Sequence, residues 1–347
     1  MEDYLKNIIK SGCTILDALK ALNELRTKFL DLFVEDKQGK VIGVVTDGDL
    51  RRGLIAGAKL TDAVDSVMNK QFAYFDNGAI DVKQLKFYKS KGMSLIPSLA
   101  KDGSIDKIYN IGELKSVLPI DVVLMAGGKG ERLRPLTEKT PKPLLPVGNK
   151  AIIDHNIDRL ISYGVQHISV TVNYLKEQLE DHFAEPHNGV QVQTVREPKY
   201  LGTIGSIRFV KEFHNDTILV MNSDLFTNID YEDFYLHFKE HEAEMSVAAV
   251  SYTVSVPYGI FDLNGRDIQG LIEKPTYNYY ANAGIYLIKR SALDEIPEDA
   301  FFNATDLIEK LISEGKKVIR FPLNGTWIDI GNPQEYKKAN ELVKHML

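Results

Sequence analysis

The stretch that decides the fold reads Asp121-Val122-Val123-Leu124-Met125-Ala126-Gly127-Gly128-Lys129-Gly130-Glu131-Arg132. Val122 to Met125 is a short apolar run of the kind a buried strand makes, and it leads straight into three glycines. Without side chains, such a loop lets backbone N–H groups converge on phosphate oxygens. No Gly-Lys-Ser/Thr follows at the spacing a Walker A loop requires. Pro135, Pro141, Pro143 and Pro146 forbid the helix that must follow in a dinucleotide-binding unit, so the segment is expected to stay extended. Along it stand Lys129, Arg132, Arg134, Lys139 and Lys142, a cationic cluster suited to clamping phosphates. The alternative is a glycine turn followed by a solvated basic loop.

Downstream, strand and helix patterns alternate: a helix over Ala151 to Tyr163, strand His167 to Val172, a helix over Leu175 to Phe183, strand Val190 to Val195. That alternation predicts an α/β sandwich on a mainly parallel sheet. Thr217 to Met221 reads as a buried central strand ending at Asn222-Ser223-Asp224, which places Asp224 at a carboxyl end, where open α/β sheets bind ligands. Strand Ile268 to Ile272 follows a hairpin turn at Asn264-Gly265 and delivers Glu273-Lys274-Pro275 to a strand end. Taken singly, Asp224 and Asp329 also suit ordinary turn positions.

Upstream of a linker over Ser116 to Ile120, a helix carrying Ile15, Leu16, Leu19 and Leu22 precedes a strand ending at Val34, a turn, and strand Val41 to Val45. A helix over Leu50 to Ala56, capped by Asp47-Gly48-Asp49, completes the unit. A second copy is expected about 55 residues on, with a helix at Val82 to Lys89, strand Ser94 to Ser98 and a last helix at Ile111 to Val117. The 347 residues thus divide as 1–64, 65–118 and 119–347.

Hydrophobic residues at 44% and charged residues at 26% are those of a folded, soluble chain. A net charge of −6 argues against a nucleic-acid partner while leaving room for a local cationic pocket. One cysteine, Cys13, allows no internal disulfide, and the acidic start lacks a signal pattern; a cytoplasmic location with no membrane span is expected.

From Leu124 through Thr137, and again over Pro141-Lys142-Pro143-Leu144-Leu145-Pro146-Val147, the chain resembles the signature of sugar-1-phosphate nucleotidyltransferases. Leu201-Gly202-Thr203-Ile204-Gly205-Ser206, Asn222-Ser223-Asp224, Glu273-Lys274-Pro275, Asn282-Ala283-Gly284-Ile285-Tyr286 and Trp327-Ile328-Asp329-Ile330-Gly331 extend the resemblance in the family's order. It implies a Rossmann-like, glycosyltransferase A-like α/β/α sandwich. It also implies a reaction in which a sugar 1-phosphate attacks the α-phosphorus of a nucleoside triphosphate and pyrophosphate leaves.

By that resemblance Gly127, Gly128 and Gly130 hold the triphosphate, Arg132 neutralises the leaving pyrophosphate, and Lys142 approaches the reacting centre. Asp224 and Asp329 match two metal-binding aspartates suited to Mg²⁺. Lys274 anchors the sugar phosphate; Glu273, Asn282 and Gly259 contact the sugar, and Gly202 and Thr203 lie by the base and ribose.

Gly43 to Gly53 resembles the closing segment of a cystathionine-β-synthase (CBS) motif, which implies an α+β CBS pair with an adenine nucleotide contacted by Thr46 and Asp49. The second copy, Ile108 to Leu114, lacks that Thr-x-x-Asp spacing. A CBS pair ahead of such a domain is similar to the glucosamine-1-phosphate guanylyltransferases of legionaminic acid pathways, with mannose-1-phosphate enzymes as relatives. GTP and a homo-oligomer are expected on that architecture; thymidylyl or uridylyl transfer to glucose 1-phosphate, and an inactive adenylate sensor, are the alternatives. A sensor should have lost one of Arg132, Lys142, Asp224, Lys274 or Asp329, and all five are present.

Overall fold

A computed structural model describes residues 4–25 and 29–344. The outer ends of the first and last sequence-derived segments, 1–3 and 345–347, lie outside them. The chain forms two compact units, Met1–Leu118 with Ser162–Gly164, and Pro119–Ile161 with Val165–Leu347.

The first unit is built twice from one plan. Strand β1 (Ile8–Lys10), helix α1 (Ile15–Glu24), β2 (Asp31–Glu35), β3 (Val41–Thr46) and α2 (Asp47–Ile55) are followed by β4 (Phe75–Asp76), α3 (Val82–Ser90), β5 (Leu95–Leu99) and β6 (Ile105–Asn110). β1 runs parallel to β2 and β2 antiparallel to β3; β4, β5 and β6 repeat that pattern. β3 starts at Val41 and β6 at Ile105, so the spacing is 64 residues where the sequence suggested about 55. Phe33 and Val41 of one copy pack on Leu95, Leu99 and Ile108 of the other.

The unit departs from its sequence pattern at two points. The cap of α2 is Thr46, one residue before the Asp47-Gly48-Asp49 triplet, because its hydroxyl accepts from Asp49 N while the Asp49 carboxylate accepts from Thr46 N. Ile111 to Val117 is a turn, not a helix. Gly112 N donates to Ser94 O, a β-carbon on Gly112 would strike the Phe29 ring at 2.8 Å, and the Lys89 ammonium takes the Leu114 carbonyl a helix would need.

The second unit runs β7 (Asp121–Met125), the short pair β8 (Pro146–Val147) and β9 (Lys150–Ala151), α4 (Ile152–Ser162), β10 (His167–Val172), α5 (Lys176–His182), β11 (Val192–Arg196), β12 (Thr217–Asn222), β13 (Leu225–Thr227) and α6 (Tyr231–Glu240). It continues with β14 (Met245–Ser255), β15 (Ile260–Asn264), β16 (Asp267–Ile272), β17 (Thr276–Lys289), α7 (Ala304–Ser313), β18 (Val318–Pro322), β19 (Trp327–Asp329) and α8 (Pro333–Lys344). Seven strands form one sheet in the order β11-β10-β7-β12-β17-β14-β18. Only β17 runs against the rest. Val122 to Leu124 and Ile218 to Met221 are almost wholly buried, as apolar central strands must be when helices cover both faces.

β10 and then β11 lie on one side of β7 and β12 on the other, so the β7 carboxyl end opens at the point where strand order reverses. The proline-rich segment after it is not extended, as the sequence suggested. It folds into three short 3-10 turns, Glu131–Leu133, Leu136–Glu138 and Lys142–Leu144, which the prolines permit while excluding an α-helix. The β15–β16 turn is Gly265-Arg266, one residue beyond the Asn264-Gly265 of the sequence reading, with Asn264 and Asp267 paired across it. No helix among the described residues is long and apolar enough to cross a membrane.

Candidate active site

β7 and β12 lie side by side with Asn222 opposite Met125, so the glycine loop and Asp224 leave the sheet at the same end. Ser223 fixes that junction by donating from N and Oγ to the Met125 carbonyl, at 3.2 and 2.8 Å. Between them opens a cleft of about 650 Å³ lined by Gly127, Gly128, Lys129, Gly130, Arg132, Lys142, Gly202, Thr203, Asp224 and Gly331. It is the size of a ligand pocket.

The glycines are there for space. Gly130 is left-handed (φ 61°), and a β-carbon on it would press on Thr137 and Lys142 at 3.0 and 3.1 Å. A β-carbon on Gly127 would lie 2.3 Å from Glu197 Oε2. Gly202, also left-handed (φ 83°), would strike the Phe302 carbonyl at 2.6 Å. Its neighbour Thr203 donates from N to Asn303 Oδ1 and accepts at Oγ1 from Ala304 N, which ties this wall to the start of α7.

β13 pairs antiparallel with β19, Leu225 opposite Asp329, and Ile330 N donates to Asp224 O. This pairing brings together two aspartates separated by about a hundred residues. Their shared partner is the buried Lys142, whose ammonium contacts Asp224 and lies 4.0 Å from Asp329 Oδ1. Burial first, then the Asp224 charge, raises the Asp329 carboxyl above its ordinary value, partly offset by Lys142 and Arg132. Two carboxylates against one ammonium leave surplus negative charge, and their hard oxygens are the donors that Mg²⁺ takes. No cluster of three or more His, Cys, Asp or Glu suited to a metal occurs among the described residues. A cation here would complete its shell with phosphate and water oxygens, as Mg²⁺ commonly does.

The remaining expected residues lie elsewhere. Gly259, Glu273 and Lys274 are exposed on the β15–β16 ribbon and do not line the cleft. Lys274 holds a left-handed backbone (φ 46°), unusual for a lysine. The Asn282 amide is occupied on its own strand, donating to Tyr286 OH and accepting from Gly284 N.

Glu197 was missed by sequence reasoning. In Arg196-Glu197-Pro198 it reads as an exposed loop residue, yet it is 4% exposed, accepts from Leu201 N at 2.6 Å and lines the cleft. Burial raises its carboxyl, with the Leu201 N–H opposing.

In the first unit a smaller cleft of about 370 Å³ is lined by Asp31, Phe33, Thr46, Asp49, Phe72 and Ile96 among others. Thr46 and Asp49 do lie in it, but their side chains engage each other: Asp49 Oδ2 accepts from Thr46 N and Oγ1, and Oδ1 from Arg52. Burial and the Asp49 charge raise the Asp31 carboxyl beside them.

Sheet and cleft together define an α/β domain that presents a glycine-lined anion pocket at the switch point of its sheet. Residues 121–345 match the model of the nucleotidyl transferase family, and the chain belongs to that family. Among curated relatives, the mannose-1-phosphate guanylyltransferase catalytic subunit beta of Xenopus tropicalis is 29% identical over 223 residues, 62% of this chain and 62% of that one. The bifunctional protein GlmU of Methanocaldococcus jannaschii is 32% identical over 231 residues, 64% of this chain and 54% of the relative. The chain thus spans roughly three fifths or less of the curated relatives it matches. HddC from Yersinia pseudotuberculosis superposes with a TM-score of 0.52 at 25% identity, covering 64% of this chain and 99% of that one. The same protein has been solved complexed with GMP-PN.

Proposed function

We propose that the chain transfers a nucleotidyl group from GTP to a sugar 1-phosphate, glucosamine 1-phosphate or mannose 1-phosphate, releasing pyrophosphate and forming a nucleotide sugar. The observation that carries the reading is the convergence of Lys142, Asp224 and Asp329 beside the glycine loop. Two strongly anionic reactants must meet in line, so charge neutralisation and positioning do most of the work. The N–H groups of Gly127 to Gly130 and the Arg132 guanidinium hold the β- and γ-phosphates, and Lys142 faces the α-phosphate. Asp224 and Asp329 would hold Mg²⁺, which when bound draws electron density from the phosphorus through its oxygens. Lys274 anchors the sugar phosphate, Glu273 and Asn282 take its hydroxyls, and Gly259 admits the ring, which requires the ribbon to meet the cleft.

Glu197 favours guanine. A carboxylate accepts two parallel N–H bonds, and guanine offers adjacent N1–H and N2–H donors, whereas the single N3–H of uracil or thymine is flanked by carbonyls that repel it. The names of the guanylyltransferase relative and the GMP-PN complex support the same base. For the first unit we assign residues 1–64 and 65–118 to a CBS pair whose cleft takes an adenine nucleoside, the base among Phe33, Phe72 and Ile96 and the ribose toward Asp31 and Asp49.

The test is pyrophosphate release by the full chain with Mg²⁺, across four nucleoside triphosphates and a panel of sugar 1-phosphates. GTP with an amino sugar or mannose 1-phosphate should be fastest. Silence with every pair would end the enzyme reading, and preference for UTP or dTTP would end the assignment of the base.

A further inference from the structure

The cleft of the second unit is lined mostly by glycines and by polar or charged side chains, which suit phosphates and the edge of a base. A nucleobase also has two flat faces, and these gain most from aromatic surface. Tyr200 is the one aromatic residue lining the cleft, among the described residues. It is 54% exposed, and Phe301, whose ring touches it, is 58% exposed. The two ring centroids lie 5.9 Å apart with their planes at 62°, an edge contact. In such a contact one ring presents its rim, so at least one face of Tyr200 is clear of Phe301.

A lone exposed aromatic residue needs no explanation. Here the backbone holds two of them together. Phe302 N donates to Leu201 O at 2.9 Å, and the Phe302 carbonyl accepts from Ile204 N and Gly205 N at 3.2 and 3.1 Å. Lys199 pairs with Asp299 at 3.2 Å across the same two segments. These bonds flank Tyr200 and Phe301 on both sides, so the rings are set before a ligand arrives, which lowers the ordering cost of binding. Tyr200 also stands between Glu197, whose carboxylate accepts from Leu201 N, and the side-chain-free Gly202.

We propose that Tyr200 is the platform on which one face of the nucleobase stacks, with Phe301 as the brace that keeps its ring at the cleft. This role rests on the proposed placement of Gly202 and Thr203 beside the base. Every base has a π face, so Tyr200 supplies affinity with little discrimination, while Glu197 meets the edge. A two-ring purine covers more of the tyrosine than a pyrimidine does, so the platform adds to a preference for guanine. A pair that merely packed two loops together would, when broken, weaken every ligand of the cleft alike, including one that has no base.

The test is titration calorimetry of the full chain with GTP, UTP and inorganic tripolyphosphate, each with Mg²⁺, on wild type, Tyr200→Ala, Tyr200→Phe and Phe301→Ala, circular dichroism confirming each fold. Tyr200→Ala should weaken GTP roughly 10- to 100-fold, UTP by a smaller factor and tripolyphosphate not at all. Tyr200→Phe keeps the ring and should bind GTP as wild type does, and Phe301→Ala should weaken GTP by less than Tyr200→Ala. A GTP affinity in Tyr200→Ala within about twofold of wild type overturns the proposal, since a stacked base is worth more than that. Equal loss of tripolyphosphate also overturns it, because the cleft itself is then distorted. So does an equal loss in Tyr200→Phe, which would assign the effect to the hydroxyl. Binding is read without turnover, so a chain that needed Tyr200 to hold GTP yet released no pyrophosphate would fail the proposed reaction and uphold the platform.

Discussion

Arg132 lies against Gly331 so closely that a β-carbon on the glycine would come within 3.0 Å of Nη2 and 3.3 Å of Cζ. The second residue after the β19 aspartate is therefore small so that a guanidinium can enter the cleft. Gly331 has no left-handed backbone requiring glycine, so space is the reason. Gly331→Ala should leave thermal stability near wild type, because the side-chain tip can swing away. Triphosphate KM should rise about tenfold, the loss of one charge-assisted contact of about 1.4 kcal/mol. Steady-state kinetics checks this; an unchanged KM would show that Arg132 does not need its present position.

Lys142 neutralises two carboxylates, so removing its charge exposes their repulsion. Lys142→Met should lower the melting temperature without metal, because losing one partner of a buried ion pair costs roughly 3–5 kcal/mol. Mg²⁺ should then recover much of that loss and stabilise the variant more than wild type, since a divalent cation at Asp224 and Asp329 does the work of the ammonium. Equal Mg²⁺ shifts in the two proteins would argue against these aspartates as its ligands.

Glu197→Gln keeps the acceptor for Leu201 N and removes a buried charge. The glutamate's native pKa is raised above 4.5. Its proton is therefore held more tightly in the folded chain, and wild-type stability falls as pH climbs from 4.5 through the native value, then levels off. The glutamine variant should escape that fall and be at least as stable at neutral pH. The guanine-to-uracil ratio of kcat/KM should drop by about 10- to 100-fold, since an amide offers one donor and one acceptor to either base.

In the turn that precedes α7, Glu295 accepts from Lys316 at 2.5 Å and Lys310 at 2.9 Å, and its carboxyl is held down from 4.5 to about 2. Stability from this site is complete above pH 4.5 and is lost as pH falls toward about 2. Acid unfolding of Glu295→Gln, followed by circular dichroism, should have a shallower limb over that interval. The difference should shrink in high salt because both lysine partners are partly exposed to solvent.

The sequence made four of the seven sheet strands legible, β7, β10, β11 and β12, because the central two are unbroken apolar runs and the helices between them carry one apolar stripe. It marked the glycine loop, Lys142 and both aspartates, residues whose chemistry has few other uses together. It hid what depends on contacts across the chain. Glu197 is a cleft residue only because Gly127 leaves room for its carboxylate. Ile111 to Val117 has a helical composition, but Gly112 is packed on Phe29 and Lys89 occupies the Leu114 carbonyl. Strand Ile268 to Ile272 and its hairpin turn were legible, yet nothing in them could say that their apolar side chains stay uncovered.

The pairing of β13 with β19 has a consequence for synthesis. Asp224 and the glycine loop emerge from the ribosome about a hundred residues and more before Trp327, Asp329 and Gly331. A chain that stops short of β19 therefore leaves β13 unpaired and lacks Asp329 and Gly331. On the proposed function, such a truncated product would lack one of the two carboxylates that hold Mg²⁺ and would not turn over triphosphate.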